Sequence, residues 1–500
     1  MTLLSRIAGF IRDAVFARVF GAGLLTDAFF VAFTIPNLLR QLFAEGALAH
    51  AFVPVLAEYK NLRGREATLK LISHTAALLA VSLAIIVVIG MIVAPLLIYI
   101  YAPGYVTDPE KFAITVDMLR IVFPYILFIS LVALAGGVLN SYGRFMVPAF
   151  TPILLNICFL TFALTLTGWF DPPVLALAWA VFVGGIVKLL FQLPFLKSLG
   201  LLPRPSLDLN DEGVWRILKL MGPAILGVSM SQIAVLVNTA FASFLETGSI
   251  SWLYYAVRLK TFPVALLGGA LAAIIMPSLS RYHAIKDPDE YSKLIDWGLR
   301  VGMLLALPAT VAMALLSTPM IATLFHYGEF SARDVAMVRD ALIALSLGLP
   351  GIVFVRVLAP GFYARQDVKT PFRIAGICIL VAMLMNVVLI GPLKHAGLAL
   401  ATSIASTLNA AILFNLLRKR NVYHPYSGWR SFSFKIAIAL ILMALTIYFG
   451  AGGEAEWLTA SAIDRVVRLF VLVAIAGAVY LGALWLMGFR PKDFSKRVVA

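Results

Sequence analysis

Apolar runs of about 20 residues or more, broken by short polar or turn-rich segments, recur along the whole chain. They predict about fourteen helices. Approximate bounds are 2–21, 24–44, 70–101, 112–140, 147–169, 174–197, 214–244, 249–280, 292–325, 333–361, 371–392, 396–417, 430–450 and 462–488. About 20 apolar residues is the length that crosses a bilayer core. The first two runs are the least apolar. Arg6, Arg12, Asp13 and Arg18 interrupt the first, and Asp27 and Arg40 stand in the second. No uninterrupted apolar run followed by a small-residue cleavage site opens the chain, so no cleavable signal peptide is read.

The polar breaks alternate in charge. Every second one is basic: Lys60, Arg63, Arg65 and Lys70; Arg144; Lys197 and Arg204; Arg281 and Lys286; Arg365 and Lys369; Arg418, Lys419 and Arg420; and the tail from Arg490. The others are short or acidic, as in TGWFDPP, ETGS and GAGGEAEW. Basic loops stay on the cytoplasmic side. An even number of spans with both termini cytoplasmic follows.

Composition removes the alternatives. Of 500 residues, 61% are hydrophobic and 13% charged, against roughly 25% charged in soluble domains. This excludes a water-soluble particle and leaves no room for an extramembrane catalytic domain. The excess of 40 Lys and Arg over 25 Asp and Glu, +15, matches basic loops and does not point to nucleic acid. Cys158 and Cys378 sit inside apolar runs and form no disulfide framework.

The sequence also repeats itself. FAEGALAHAFVPVLAEY at 43–59 matches LLGGALAAIIMPSLSRY at 266–282 with an offset of 223. Pro148 and Pro371, and the Leu-Ala-Leu-Ala runs at 175–178 and 398–401, fall at the same offset. Each repeat holds six helices, so the halves face the same way, as in parallel-repeat transporters with a central site. The expected fold is an all-α polytopic membrane protein with two six-helix lobes, 1–200 and 201–425. Two appended helices in 426–500 complete it.

Ionisable groups inside spans are costly and mark pathways or sites. Besides those in the first two helices, they include Asp117, Arg120, Lys188, Arg258, Lys260 and Arg356. Lys188, Arg120 and Arg18 read as residues near helix ends that snorkel to the headgroups. Arg12 and Arg258 lie deeper. At about 100° per residue, Arg6 and Asp13 share a helix face, whereas Arg6, Arg12 and Arg18 do not share one. Pro36, between Asp27 and Arg40, and Pro263, near Arg258, suit broken helices lining a cavity. More arginine than carboxylate attracts anions, and arginine forks fit phosphate. Structural ion pairs account for the same residues equally well. The six histidines show no metal-ligand spacing, and no nucleotide-binding or nucleophile-elbow motif appears.

The opening RIAGFIRDAVFARVFGAGLLTDAFFVAFTIPNLLRQLFAEGALAHAFVPVLAEY resembles the MurJ (MviN) family of lipid II flippases, in the multidrug/oligosaccharidyl-lipid/polysaccharide exporter superfamily. MGPAILGVSMSQI, SWLYYAVRLKTFPVALLGGALAAIIMPSLS, VLAPGFYARQDVKTPFRIA and IGPLKHAGLALA extend the resemblance over the whole chain. It implies a non-enzymatic flippase that moves undecaprenyl-pyrophosphate-linked peptidoglycan precursor to the outer leaflet of the bacterial inner membrane by alternating access. It also implies that Arg6, Arg12, Arg40 and Arg258 hold the anionic headgroup in a central cavity. Asp13, Asp27 and Glu45 then serve as charge partners in switching, and the last two helices form a lipid-tail groove. Val257 stands where relatives commonly have Asp. Asn238 and Asn386 lack an obvious carboxylate beside them, which counts against a sodium site. No cofactor or metal is expected, the drive being membrane potential or an ion gradient. Expected partners are lipid II, membrane phospholipids and cell-wall synthesis proteins, with the chain a monomer. The rival reading is an exporter of another polyprenyl-linked oligosaccharide or of drugs.

Overall fold

The structure, a computed structural model, describes residues 2–41, 48–204, 206–208 and 210–490. No strand occurs among them. The helices are α1 (Thr2–Phe20), α2 (Leu24–Leu39), α3 (Ala49–Glu58), α4 (Gly64–Ile92), α5 (Ala94–Tyr101), α6 (Pro109–Val122) and α7 (Tyr125–Ser141). Next come α8 (Met146–Thr161), α9 (Leu175–Ser198), α10 (Glu212–Ala242), α11 (Ser249–Pro263), α12 (Gly269–Ala284), α13 (Pro288–Leu315) and α14 (Ser317–Phe325). The last are α15 (Ala332–Ser346), α16 (Leu349–Leu358), α17 (Pro360–Tyr363), α18 (Lys369–Lys419), α19 (Trp429–Ala451), α20 (Glu454–Thr459) and α21 (Ala462–Leu486).

Ten stretches of described helix are long and apolar enough to cross a membrane. The protein is thus an all-α, multi-pass membrane protein. The count of fourteen rests on four further places. Four charges interrupt α1, α2 is only 16 residues long, and the apolar part of α10 found among these residues is Gln232–Ala242. The fourth is α18, a 51-residue element that runs through two expected helices. A non-helical residue, Lys394 (φ 49°, ψ −129°), divides it inside the expected break at 393–395.

One stretch departs from expectation. Residues 45–69 fall between two expected helices, yet, with 45–47 outside the described residues, helix is present from Ala49, passes through a π turn at Tyr59–Arg63 and continues as α4 from Gly64. Charge there marks a helix emerging into water, with Glu66 and Lys70 paired one turn apart at 3.0 Å.

The chain divides into two compact units, Met1–Ser251 and Trp252–Ala500. The first extends past the repeat boundary at 200 because α10 packs on α3, α4 and α5. Within it α9 lies against α7 and α8. Adjacent glycines allow that closeness: a Cβ on Gly184 would stand 2.5 Å from Leu155 Cδ1, and one on Gly185 2.9 Å from Tyr125 Cδ2. In the second unit α12, α13, α16 and α18 share a core, and α19 and α21 pack on α13 and α14. Asp296 of α13 fastens the appended pair. It accepts from Tyr423 Oη (2.7 Å), Trp429 Nε1 (2.8 Å) and Arg300 Nε (2.7 Å). Pro148 and Pro371, related by the repeat, both stand third in their helices, α8 and α18.

Candidate functional site

The charged residues of α1 do not act alike. Asp13 is fully buried, and Arg12 binds it from the next position, Nε at 2.9 Å and Nη2 at 2.6 Å on one oxygen. Arg12 Nη1 also donates to Asn156 Oδ1 of α8 at 3.3 Å. Its guanidinium lies 5.3 Å from the Phe159 ring centroid and 5.6 Å from that of Phe16. Phe16, Phe29, Phe33 and Phe159 form one aromatic cluster under it. The cation is thus desolvated on aromatic faces, where its interactions strengthen. Arg6 shares a face with Asp13, yet Arg12 is its observed partner because a long side chain curls back onto its neighbour. Arg6 and Arg18 are exposed. Arg40 donates from Nε to Asn37 Oδ1 at 3.0 Å, one turn beyond Pro36 within α2. Glu45 lies outside the described residues.

Asp27 accepts four hydrogen bonds. One oxygen accepts from the Gly248 N–H at 2.8 Å and from Lys111 Nζ at 3.2 Å. The other accepts from the Ser251 N–H at 2.9 Å and Ser251 Oγ at 2.6 Å. It therefore joins α2 to the first turn of α6 and to segment 248–251. Nearby, the Gly104 N–H donates to Ser243 Oγ at 2.9 Å, and a Cβ on Gly104 would meet the Ser243 carbonyl oxygen at 2.2 Å. Lys111 Nζ sits 4.3 Å from the Tyr105 ring centroid. Burial, aided by the charge of Asp27, pushes the Tyr105 hydroxyl well above its usual range, so it stays neutral. These contacts tie α2, the start of α6, Gly104 and segment 243–251 together within the first unit.

Lys111 is not among the in-span charges named from the sequence; it lies in the first turn of α6. A signal was available: a lysine in the first turn of a helix opposes the helix dipole and implies a carboxylate elsewhere. Lys188 corrects an expectation. It does not snorkel; it is 5% exposed, with Nζ 3.4 Å from Tyr125 Oη. Gly184 and Gly185, one turn earlier, draw α7 and α8 so near that the side chain is enclosed.

In the second unit Arg258 and Lys260 are part-buried on α11, about 200° apart around it. Helix α11 ends at Pro263, and a π turn, Val264–Gly268, follows. Such turns gather at functional sites. Gly268 receives Arg356, whose Cδ would be 2.3 Å from an added Cβ. Trp252 Nε1 donates to Asp334 Oδ1 at 2.8 Å, and Asp334 also closes a capping box with Ser331 at the start of α15. No cluster of metal-ligating side chains occurs among the described residues.

The fold is shared with solved membrane transporter structures. A solved structure of lipid II flippase MurJ in an inward closed conformation superposes with a TM-score of 0.78 at 24% identity, covering 97% of this chain and 98% of that one. An inward-facing multidrug resistance MATE transporter of the MOP superfamily follows with 0.68 at 15% identity, covering 83% and 94%. In sequence, the family described as lipid II flippase MurJ matches residues 16–468. The lipid II flippase MurJ of Burkholderia cenocepacia is 46% identical over 99% of this chain and 97% of its own. A probable lipid II flippase MurJ of Vibrio cholerae is 41% identical over 99% and 95%. The chain belongs to the MurJ lipid II flippase family, a family of transporters and not of enzymes.

Proposed function

We propose that this protein moves lipid II, the undecaprenyl-pyrophosphate-linked peptidoglycan precursor, from the inner to the outer leaflet of the bacterial cytoplasmic membrane. It works by alternating access, with both termini cytoplasmic. Arg6, Arg12, Arg40 and Arg258 meet the anionic headgroup, and Asp13, Asp27 and Glu45 balance that charge and switch partners between states. Residues 1–200 and 201–425 serve as the two moving lobes, and 426–500 holds the lipid tail. The drive is the membrane potential or an ion gradient, without a cofactor; the chain acts as a monomer and meets cell-wall synthesis proteins.

The observation that carries this reading is the Asp27 node. A buried carboxylate held by four hydrogen bonds ties α2 to α6 and to segment 248–251 within the first unit. The donors are two backbone N–H groups, the Ser251 hydroxyl and the Lys111 ammonium, all groups that water can satisfy when the segments part. The test is lipid II exposure at the outer leaflet of cells depleted of their own flippase. Wild type restores exposure and Asp27→Ala, at equal abundance, does not. Wild-type protein that reaches the membrane without restoring it moves the polysaccharide-exporter reading ahead.

A further inference from the structure

At one end of the second unit, a cavity of about 660 Å³ opens beside the last turn of α19, within the range of about 300–1,000 Å³ usual for small-ligand sites. One wall is apolar, formed by Leu315, Ile343 and Ile447. At its edge Tyr448 and Phe449 are 70% and 78% exposed. Aromatics so exposed at the end of a membrane-spanning helix lie at the headgroup level of a bilayer.

The other wall is charged. Arg339 of α15 donates from Nε to Asp340 at 2.9 Å and from Nη1 to both oxygens of Glu454, at 3.0 and 2.8 Å. Thr318 Oγ1 adds a bond to Glu454 at 3.2 Å. A guanidinium has five N–H donors, and Nη2 of Arg339 carries no hydrogen bond here. Both carboxylates keep accepting capacity and stay partly exposed, Asp340 at 42% and Glu454 at 60%. One cation thus stands between two carboxylates, beside an apolar wall, at the membrane surface.

We propose that this cavity binds the headgroup of a zwitterionic aminophospholipid such as phosphatidylethanolamine. The phosphate meets Arg339 Nη2, the ammonium donates to Asp340 and Glu454, and the upper acyl chain lies along Leu315 and Phe449. The alternation of charge matches a phosphate joined to an amine by two carbons. An anionic headgroup with no amine meets an excess of one negative charge and is repelled. Glu454 follows Gly452 (φ +67°) and Gly453 and lies in α20, the short helix between α19 and α21. A lipid held here fixes α20 and so the appended helix pair. The inference rests on the membrane-embedded reading but not on lipid II as cargo.

The test is lipid retention by the purified, delipidated full-length protein. Native mass spectrometry reads it after titration with phosphatidylethanolamine, phosphatidylcholine or phosphatidylglycerol. Phosphatidylethanolamine is expected to be retained several-fold above phosphatidylglycerol. Phosphatidylcholine, whose quaternary ammonium donates no hydrogen bond, falls between. Asp340→Asn and Glu454→Gln each cut the phosphatidylethanolamine preference several-fold while the thermal midpoint stays near wild type. Equal retention of phosphatidylethanolamine and phosphatidylglycerol, or an unchanged preference in folded Asp340→Asn, overturns the proposal. The readout is binding, so a failure to flip lipid II leaves it intact and refutes the functional reading separately.

Discussion

At the residue scale the account turns on Arg12. Its guanidinium contacts Asp13, Asn156 and two aromatic rings at once. A lysine supplies the charge without the fork. Arg12→Lys is expected to retain the fold but lose roughly tenfold or more of lipid II transport, on the scale of about 1.4 kcal/mol per decade. Arg12→Ala abolishes transport; in-cell complementation at matched membrane levels distinguishes the two. Asp27→Asn leaves Lys111 without its carboxylate and loses charge-assisted bonds that are worth about 1.5–3 kcal/mol each, so its thermal midpoint drops by several degrees. An unchanged midpoint contradicts the role given to that node. Asp27 and Arg12 stand out in the sequence because charge inside an apolar run is visible. The sequence did not reveal their partners, since Lys111, Gly248 and Ser251 are brought to Asp27 by tertiary packing across as many as 224 positions. Lys188 was misplaced for the same reason: its enclosure depends on Gly184 and Gly185 and not on its distance from the helix end.

At the element scale, helix contacts depend on particular small residues and loop anchors. Gly185→Leu forces a side chain into Tyr125 and Phe128 and is expected to cost about 1–3 kcal/mol, as overpacking does; detergent thermal denaturation reads it. The α17–α18 connection is set by Asp367. Hydrogen bonds from Thr370 and Arg420 hold its carboxyl down to about 2. A depressed carboxyl stabilises the fold above its unfolded value of about 3.9 and loses that contribution as pH falls through about 2. Asp367→Asn is therefore expected to melt below wild type at neutral pH, with the gap closing between about pH 4 and pH 2. A gap that persists unchanged to acid pH contradicts the assignment. Most helix positions were legible because hydrophobic run length is a strong signal. The miss over 59–69 arose because helix continues there through charged residues that look like a loop. The cuts at Val93 and Pro124 within expected helices are local backbone events that run length does not encode.

At the scale of the whole molecule, basic connections alternate with short or acidic ones along a helical chain, and its family is that of the lipid II flippases MurJ. The appended helices are anchored through Asp296, where one carboxylate serves Tyr423, Trp429 and Arg300. Asp296→Ala strands those donors in a buried site, and limited proteolysis near residues 424–430 is expected to speed up. Wild-type resistance there contradicts the anchoring role. Central to the account is that this chain flips lipid II by means of its in-membrane arginines. The direct measurement is lipid II exposure at the outer leaflet in flippase-depleted cells carrying wild type or Arg258→Ala at equal abundance. The account predicts restored exposure with wild type and none with the variant. Equal exposure with both contradicts the role of Arg258, and no exposure with either, despite wild type in the membrane, contradicts lipid II as the substrate.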